Sequence, residues 1–308
     1  MIDTLIIAAD RHAYYFERIN NEQISIQNVF KDSISLKHNL LRLFRKMKWN
    51  YTYLYYGDWF KLLPKVNKII VLDMALEIDN CLLRNISKMA PTAVKSLYSW
   101  NIIIDDKKYK KMKNLVDEAG FKYYCYDRGN CEKYNFHFNT IMYDRTLCLP
   151  KTEVKFDTIF VGFLKDKKDK LLSLYETFQK ANVDAKFIIV DLNGQISGLP
   201  FEVRNQYIDY SLYLEMVNNS QSILDIVQAD QDGFSMRVME SIFLNKKLIT
   251  TNNAIKAAKF YNKNNILVMD LEHICKEDIV EFFQLEFQGY PESIRDYYSV
   301  ESWVGRFV

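Results

Sequence analysis

The chain has 308 residues, enough for two domains, and its 49% hydrophobic share can build one or two substantial cores. With 41 Lys and Arg against 39 Asp and Glu, the net charge is +2, which argues against nucleic-acid binding. Five scattered cysteines without a CxxC pair predict a reducing compartment, with neither a disulfide framework nor a structural zinc site. The chain lacks a signal-peptide pattern and an apolar run of about eighteen residues, which predicts a cytoplasmic protein.

The first half of the chain alternates short apolar runs with amphipathic segments. Residues 5–9, 68–73 and 101–105 predict strands, and residues 40–49 and 78–89 predict helices. This alternation is typical of a parallel sheet covered on both faces. A polar stretch with one of the few prolines then predicts a boundary near residue 150.

The second half repeats the alternation. Strands are predicted over residues 156–162, 185–191, 222–227, 247–251 and 266–269, and helices over 171–181, 211–219, 235–244, 276–287 and 291–307. Ser211 and Ser235 are the predicted N-caps of their helices. We therefore expect an α/β protein with two Rossmann-like domains in series, residues 1–150 and 151–308.

One segment combines features that suit a nucleotide diphosphate. The strand at 222–227 leads into a turn at Gly233, and a helix begins at Ser235. In a parallel sheet this turn lies at the carboxyl edge, where the free N–H groups of the helix and Arg237 can bind phosphate. Glu240, one turn further, can accept hydrogen bonds from a ribose diol. Glycine allows close approach of the backbone to a ligand.

This segment resembles the donor-site motif of GT-B glycosyltransferases, and its continuation to residue 252 is similar to bacterial capsule, lipopolysaccharide and exopolysaccharide transferases. Asp232 and Glu240 match the family's two acidic residues separated by seven positions, with Asp in place of the first Glu. Residues 156–165 resemble the family's first donor-domain strand and glycine-bearing loop. The resemblance implies donor-binding roles for Gly162, Lys165, Asp232, Gly233, Phe234, Ser235, Arg237 and Glu240.

The implied fold is GT-B, two Rossmann-like domains facing across a cleft, with a C-terminal helix that returns to the first domain. The implied reaction moves a sugar from a nucleotide diphosphate-sugar to a lipid-linked glycan in bacterial surface polysaccharide synthesis, without metal or cofactor. An inverting enzyme would need a base, for which Asp10, His12 and Asp105 are candidates at strand ends of the first half. A retaining enzyme would need none, and the Asp232–Glu240 spacing favours retention slightly.

Three alternatives stay open. Asp230-Gln231-Asp232 has the spacing of the metal-binding motif of GT-A transferases, but we interpret it as coincidental because such chains carry it in their first half. A sugar-nucleotide epimerase has the same two-domain fold. A non-catalytic scaffold in a polysaccharide assembly complex is the alternative outside the enzymes.

Two basic segments predict peripheral contact with an anionic membrane at the inner face of the cell. Residues 37–60 combine five basic residues with a dense aromatic group, and residues 107–113 form a lysine-rich run. The alternative interpretation places the aromatic rings in the core and the lysines on a solvated face.

Overall fold

The computed structural model describes residues 2–9, 19–31, 47, 51–78, 81–101, 103, 106–164, 168–228 and 231–308. The chain forms two compact units, which we call unit 1 (Met1–Thr140 with Val300–Val308) and unit 2 (Ile141–Ser299). The division lies N-terminal to the boundary predicted near residue 150. The C-terminal segment Val300–Val308 belongs to unit 1, whereas the predicted second domain extended to residue 308.

Unit 1 contains a six-stranded parallel sheet in the order β2-β1-β3-β4-β5-β6. Its strands are β1 (Thr4–Ala8), β2 (Ile24–Asn28), β3 (Lys68–Leu72), β4 (Val94–Ser99), β5 (Lys122–Cys125) and β6 (His137–Phe138). Its described helices before residue 140 are α1 (Asp73–Ile78), α2 (Leu82–Met89), α3 (Asp106–Glu118) and α4 (Arg128–Tyr134). Every residue of β1 is buried, because helices and loops cover both faces of a parallel sheet.

The strands predicted at 5–9 and 68–73 correspond to β1 and β3, the strand predicted at 101–105 is wrong, and β2, β5 and β6 were not predicted. The strand in this region is β4, which precedes the predicted range and ends at Ser99. The described residues Asn101 and Ile103 lie beyond its end. Ser96 and Ser99 point to opposite faces of β4 and both are buried, so this strand is not a continuous apolar run. The helix predicted at 40–49 lies outside the described residues except for Met47.

Unit 2 contains a second six-stranded parallel sheet, in the order β12-β11-β10-β7-β8-β9. Its strands are β7 (Phe156–Phe163), β8 (Ala185–Val190), β9 (Glu202–Arg204), β10 (Ser220–Asp225), β11 (Lys247–Thr250) and β12 (Ile266–Val268). Its described helices are α5 (Lys168–Lys180), α6 (Tyr210–Asn218), α7 (Met236–Phe243), α8 (Lys276–Gln284) and α9 (Glu292–Tyr298). The last helix of the chain, α10 (Val300–Gly305), lies in the unit 1 segment.

The strand order of unit 2 is that of a Rossmann sheet. The chain runs outward from β7 to β9 on one side, returns, and continues from β10 to β12 on the other. The order reverses between β7 and β10, and ligands of open α/β sheets bind at the carboxyl edge of such a switch point. The predicted mixed α/β architecture with two parallel sheets is confirmed.

Three local expectations are corrected. The N-cap of α6 is Asp209 rather than Ser211, so this helix begins earlier than its apolar pattern suggests. Ser235 is the N-cap residue of α7, but its hydroxyl makes no capping bond. Cys125 and Cys131 form a disulfide pair, contrary to the expectation of none, because the turn from β5 into α4 brings their Cα atoms to 6.3 Å.

The aromatic residues of segment 37–60 divide between core and surface. Trp59 and Tyr56 are buried in the core of unit 1, whereas Tyr51 and Tyr53 are exposed. Most of the basic part of the segment lies outside the described residues. None of the helices in the described ranges is long and apolar enough to span a bilayer.

Candidate functional site

The switch point of unit 2 brings two chain segments together at the carboxyl edge of its sheet. One is the end of β7, at Gly162 and Phe163, and the other is the turn from β10 to α7. The first N–H groups of a helix have no partner within that helix, and the helix dipole makes this end electropositive. The start of α7 therefore favours an anion at this edge.

Arg237, in the first turn of α7, is held at this edge by two groups of the sheet. Its Nη2 donates to the carbonyl oxygen of Val161 at 2.7 Å, and its Nη1 lies 3.6 Å from Oδ1 of Asp225. The guanidinium carbon is 5.6 Å from the centroid of the Phe160 ring. The side chain is 28% exposed, so a positioned cation still faces solvent. Such a guanidinium suits phosphate, because its donors match phosphate oxygens in a fixed fork.

Asp225 joins β10, β11 and the start of α7. Its carboxylate is almost completely buried and accepts hydrogen bonds from Ser235 Oγ at 2.9 Å and Thr250 Oγ1 at 3.0 Å. The bond from Ser235 replaces the capping bond expected of that hydroxyl. The contacts of Asp225 therefore fix the helix N-terminus against the sheet and stabilise the nearby guanidinium.

Because Gly162 has no side chain, the guanidinium of Arg237 has room beside the end of β7. A Cβ atom at this position would lie 3.1 Å from Phe160 Cζ and 3.4 Å from Arg237 Nη2. Any side chain here would therefore press on the guanidinium or on the ring beneath it. The glycine also leaves the backbone of β7 uncovered at the switch point.

Asn252 holds the turn before α7. The sequence analysis assigned this residue no role and named it only as the end of the segment that resembles bacterial transferases. The side chain of Asn252 is buried, and its Nδ2 donates to the carbonyl oxygens of Gly233 at 3.2 Å and Asp232 at 3.3 Å. Phe234 packs edge-on against Phe260, with ring centroids 5.3 Å apart. The predicted Asp232–Ser235 turn is thus a defined structure beside the helix N-terminus.

Glu240 lies beneath this edge rather than on it. Its side chain is 1% exposed, and its two oxygens accept hydrogen bonds from Tyr213 at 2.6 Å and Tyr210 at 3.3 Å. Burial raises the pKa of Glu240 to about 7, against the opposing effects of the tyrosine hydrogen bonds and the charge of Arg237. A ribose diol could reach the carboxylate only by replacing the tyrosine hydroxyls, so the ribose-binding role stays a prediction.

The structure brings together most of the predicted donor-site residues. Gly162 lies on β7, and the residues from Asp232 to Glu240 lie along the turn and α7. The remaining predicted site residues fall outside the described residues and keep the status of predictions: Lys165 in the donor site, and Asp10, His12 and Asp105 as candidate bases. Asp230 of the acidic pair is also outside them.

Sequence reasoning missed the two tyrosines that bind Glu240. Tyr210 and Tyr213 are three positions apart on α6, and their rings stack with centroids 5.7 Å apart. This spacing places both side chains on one helix face. The spacing is visible in the sequence, but the packing of that face against α7 is a tertiary contact.

No protein-family model matches the sequence, and no curated protein is significantly similar to it. A solved structure described as the "Glycotransferase of kitacinnamycin" is similar over 85% of this chain and 77% of that chain. The two share 10% sequence identity, with a TM-score of 0.38. A structural similarity this low supports no conclusion about the fold or the function of this chain.

Proposed function

We propose that unit 2 binds the diphosphate of a nucleotide-sugar and that the chain is a glycosyltransferase. The observation that supports this most directly is the anchored guanidinium of Arg237 beside the N-terminus of α7, at the switch point of a Rossmann sheet. A diphosphate carries its charge on oxygens that require fixed donors. Arginine and helix N–H groups supply those donors together.

The same groups would act during the reaction. When the bond between the anomeric carbon and the diphosphate oxygen breaks, negative charge develops on the leaving diphosphate. Arg237 and the first N–H groups of α7 stabilise that charge, while an acceptor hydroxyl forms the new bond at the anomeric carbon and loses its proton. Because a protein cation compensates the leaving group, the proposed reaction requires no metal.

The finer parts of the proposal come from the sequence resemblance. They are a lipid-linked glycan acceptor, a role in bacterial surface polysaccharide synthesis, and a place at the inner face of the membrane. Lys165 is proposed as a second phosphate ligand. An inverting reaction would take its base from Asp10, His12 or Asp105, and a retaining reaction would take none.

A thermal-shift panel of UDP-, GDP-, CMP- and dTDP-sugars tests the donor site. We expect at least one nucleotide-sugar to raise the melting temperature of the wild type, and Arg237→Ala to abolish the shift. Arg145→Ala is the matched control, because this arginine of unit 2 is exposed and pairs with Glu292 and Asp296. A shift that Arg237→Ala leaves unchanged would contradict the placement of the diphosphate.

The same protein preparation separates the alternatives. Sugar transfer that stops with EDTA would support a metal-dependent transferase instead. Conversion of a nucleotide-sugar without an acceptor would indicate an epimerase. If no nucleotide-sugar shifts the melting temperature, a non-catalytic scaffold becomes the better explanation.

A further inference from the structure

Two aromatic side chains of unit 2 face solvent at the same sheet edge and contact each other. Phe163 is 42% exposed and Tyr207 is 71% exposed. Their ring centroids are 6.0 Å apart at an interplanar angle of 80°. By contrast, Phe160 on the same strand and Phe187 on the neighbouring strand β8 are buried in the core. Exposed apolar surface that is contiguous, rather than scattered, commonly marks a binding site.

The strand register places this pair at the carboxyl edge. Phe163, the last residue of β7, lies opposite Val190 at the end of β8, which lies opposite Arg204 at the end of β9. Tyr207 follows Arg204 by three positions, in the loop that leaves the same edge. We call Phe163 and Tyr207 the aromatic platform.

The aromatic platform and Arg237 lie at the same carboxyl edge of the sheet. Phe163 directly follows Gly162 and points to the opposite face of β7, and the space beside Gly162 is bounded by Nη2 of Arg237. The end of β7 therefore adjoins both a cation and an exposed ring. A nucleoside diphosphate has this same pairing of chemistries, an anionic diphosphate and a flat aromatic base joined by a ribose.

We propose that the aromatic platform stacks the base of the donor nucleotide, an inference that rests on the proposed function of unit 2. When two rings are in edge-to-face contact, one ring keeps an open face on which a base can stack, and the edge of the other ring lies beside it. Stacking on an aromatic side chain tolerates any base, because every base has a π-face. The platform therefore distinguishes a nucleotide from a phosphate compound without a base, rather than one base from another.

Isothermal titration with UDP, GDP and inorganic pyrophosphate tests this inference. Tyr207→Ala is expected to weaken UDP and GDP by about 5- to 100-fold, the range that loss of one base–aromatic stack produces. Its effect on pyrophosphate, which has no base, should stay within about twofold. Tyr207→Phe keeps the ring and should retain nucleotide binding, and Phe163→Leu should weaken the nucleotides alone.

The control is Tyr297→Ala, which removes another exposed tyrosine of unit 2, on α9. Unchanged UDP and GDP affinities in Tyr207→Ala, or an equal loss for pyrophosphate, would overturn the platform. If Arg237→Ala then still weakens all three ligands, the diphosphate site stands without the platform. If the wild type binds none of the three, the platform and the proposed function are both overturned.

Discussion

The switch points of the two sheets present different charged side chains. In unit 2 the switch point presents the guanidinium of Arg237, which is paired with the almost completely buried Asp225. In unit 1 the order reverses between β1 and β3, and β3 is followed directly by Asp73. This half-buried carboxylate accepts hydrogen bonds from Ser99 Oγ at 3.0 Å and from the backbone N–H of Trp100 at 3.2 Å.

This difference teaches that similar sheets acquire different ligand chemistry from the few residues at their strand ends. A diphosphate is attracted by the cation of unit 2 and repelled by a carboxylate. The residues that follow β1, from 10 to 18, lie outside the described part of the chain.

The units also differ in how the chain builds them. Unit 2 is one continuous segment, whereas unit 1 includes Val300–Val308 from the other end of the chain. In that segment Trp303 is completely buried, and its Nε1 donates to the carbonyl oxygen of Thr140 at 2.7 Å. Its ring contacts Tyr98 edge-on at 5.1 Å. The core of unit 1 therefore includes Trp303, a residue from the C-terminal end of the chain.

The largest predicted effect concerns this contact. Trp303→Ala should lower the free energy of unfolding by about 3–5 kcal/mol, because it leaves a cavity and removes one of the two hydrogen bonds that the Thr140 carbonyl accepts. Hydrogen exchange should accelerate mainly in unit 1, while unit 2 still binds its nucleotide below the melting temperature. Equal loss of hydrogen-exchange protection in both units would show that unit 2 depends on the Trp303 contact as much as unit 1 does. The exposed Tyr297→Ala provides a control for loss of an aromatic side chain.

The second prediction tests the difference in charge. Arg237→Ala should weaken nucleoside diphosphate binding by roughly 100-fold, since charge-assisted hydrogen bonds contribute about 1.5–3 kcal/mol each. Asp73→Asn in unit 1 should leave that affinity unchanged. Titration calorimetry at two salt concentrations measures both, and wild-type binding should weaken with salt. If the two substitutions weaken binding equally, the diphosphate is not held by unit 2 alone.

The third prediction concerns Glu240, whose charge determines how cationic the unit 2 edge is near neutral pH. Since burial raises its pKa to about 7, the folded protein binds this proton more tightly than the unfolded chain. Stability should therefore fall as pH rises from about 4.5 to about 7, and the full loss should persist above that range. Glu240→Gln stays neutral, so it should gain about 3 kcal/mol over the wild type by pH 8.

Urea denaturation between pH 4 and 8 measures the Glu240 effect. The charged and hydroxyl groups that act on this carboxylate are Tyr210, Tyr213, Arg237 and Asp225, and glutamine can still hydrogen-bond to both tyrosines. Glu215→Gln, at an exposed position on α6, is the control. A difference between wild type and Glu240→Gln that stays constant with pH would show that Glu240 is not the titrating group.

How much the sequence predicts differs between strands. The strands β7, β8 and β10 were found within a few residues, because buried parallel strands are short apolar runs rich in β-branched residues. The strand β4 was missed because the polar residues Ser96 and Ser99 are buried in it, so it lacks a continuous apolar run. Periodicity detects apolar burial and does not detect buried polar groups.

In the candidate donor site, too, the sequence predicts some features and not others. The strand, turn and helix from β10 to α7 could be predicted because glycine and serine mark its boundaries locally. The tyrosine contacts of Glu240 could not, since they require α6 to pack on α7. The exposure of Phe163 was also hidden, because it continues an apolar strand in sequence and leaves the core only where β7 ends. Local signals predict elements, and tertiary contacts determine which side chains meet.

The smallest predicted effect tests whether the position of Arg237, and not only its charge, distinguishes the two edges. Gly162→Ala introduces a Cβ at 3.1 Å from Phe160 Cζ and 3.4 Å from Arg237 Nη2, so the ring must shift by a few tenths of an ångström beside the guanidinium that bonds to Val161. Nucleoside diphosphate affinity should fall about 10-fold, the equivalent of one net hydrogen bond, with little change in stability. Gly289→Ala is the matched control, because a Cβ there contacts nothing within 4 Å. Wild-type affinity in Gly162→Ala would mean that charge alone separates unit 2 from unit 1.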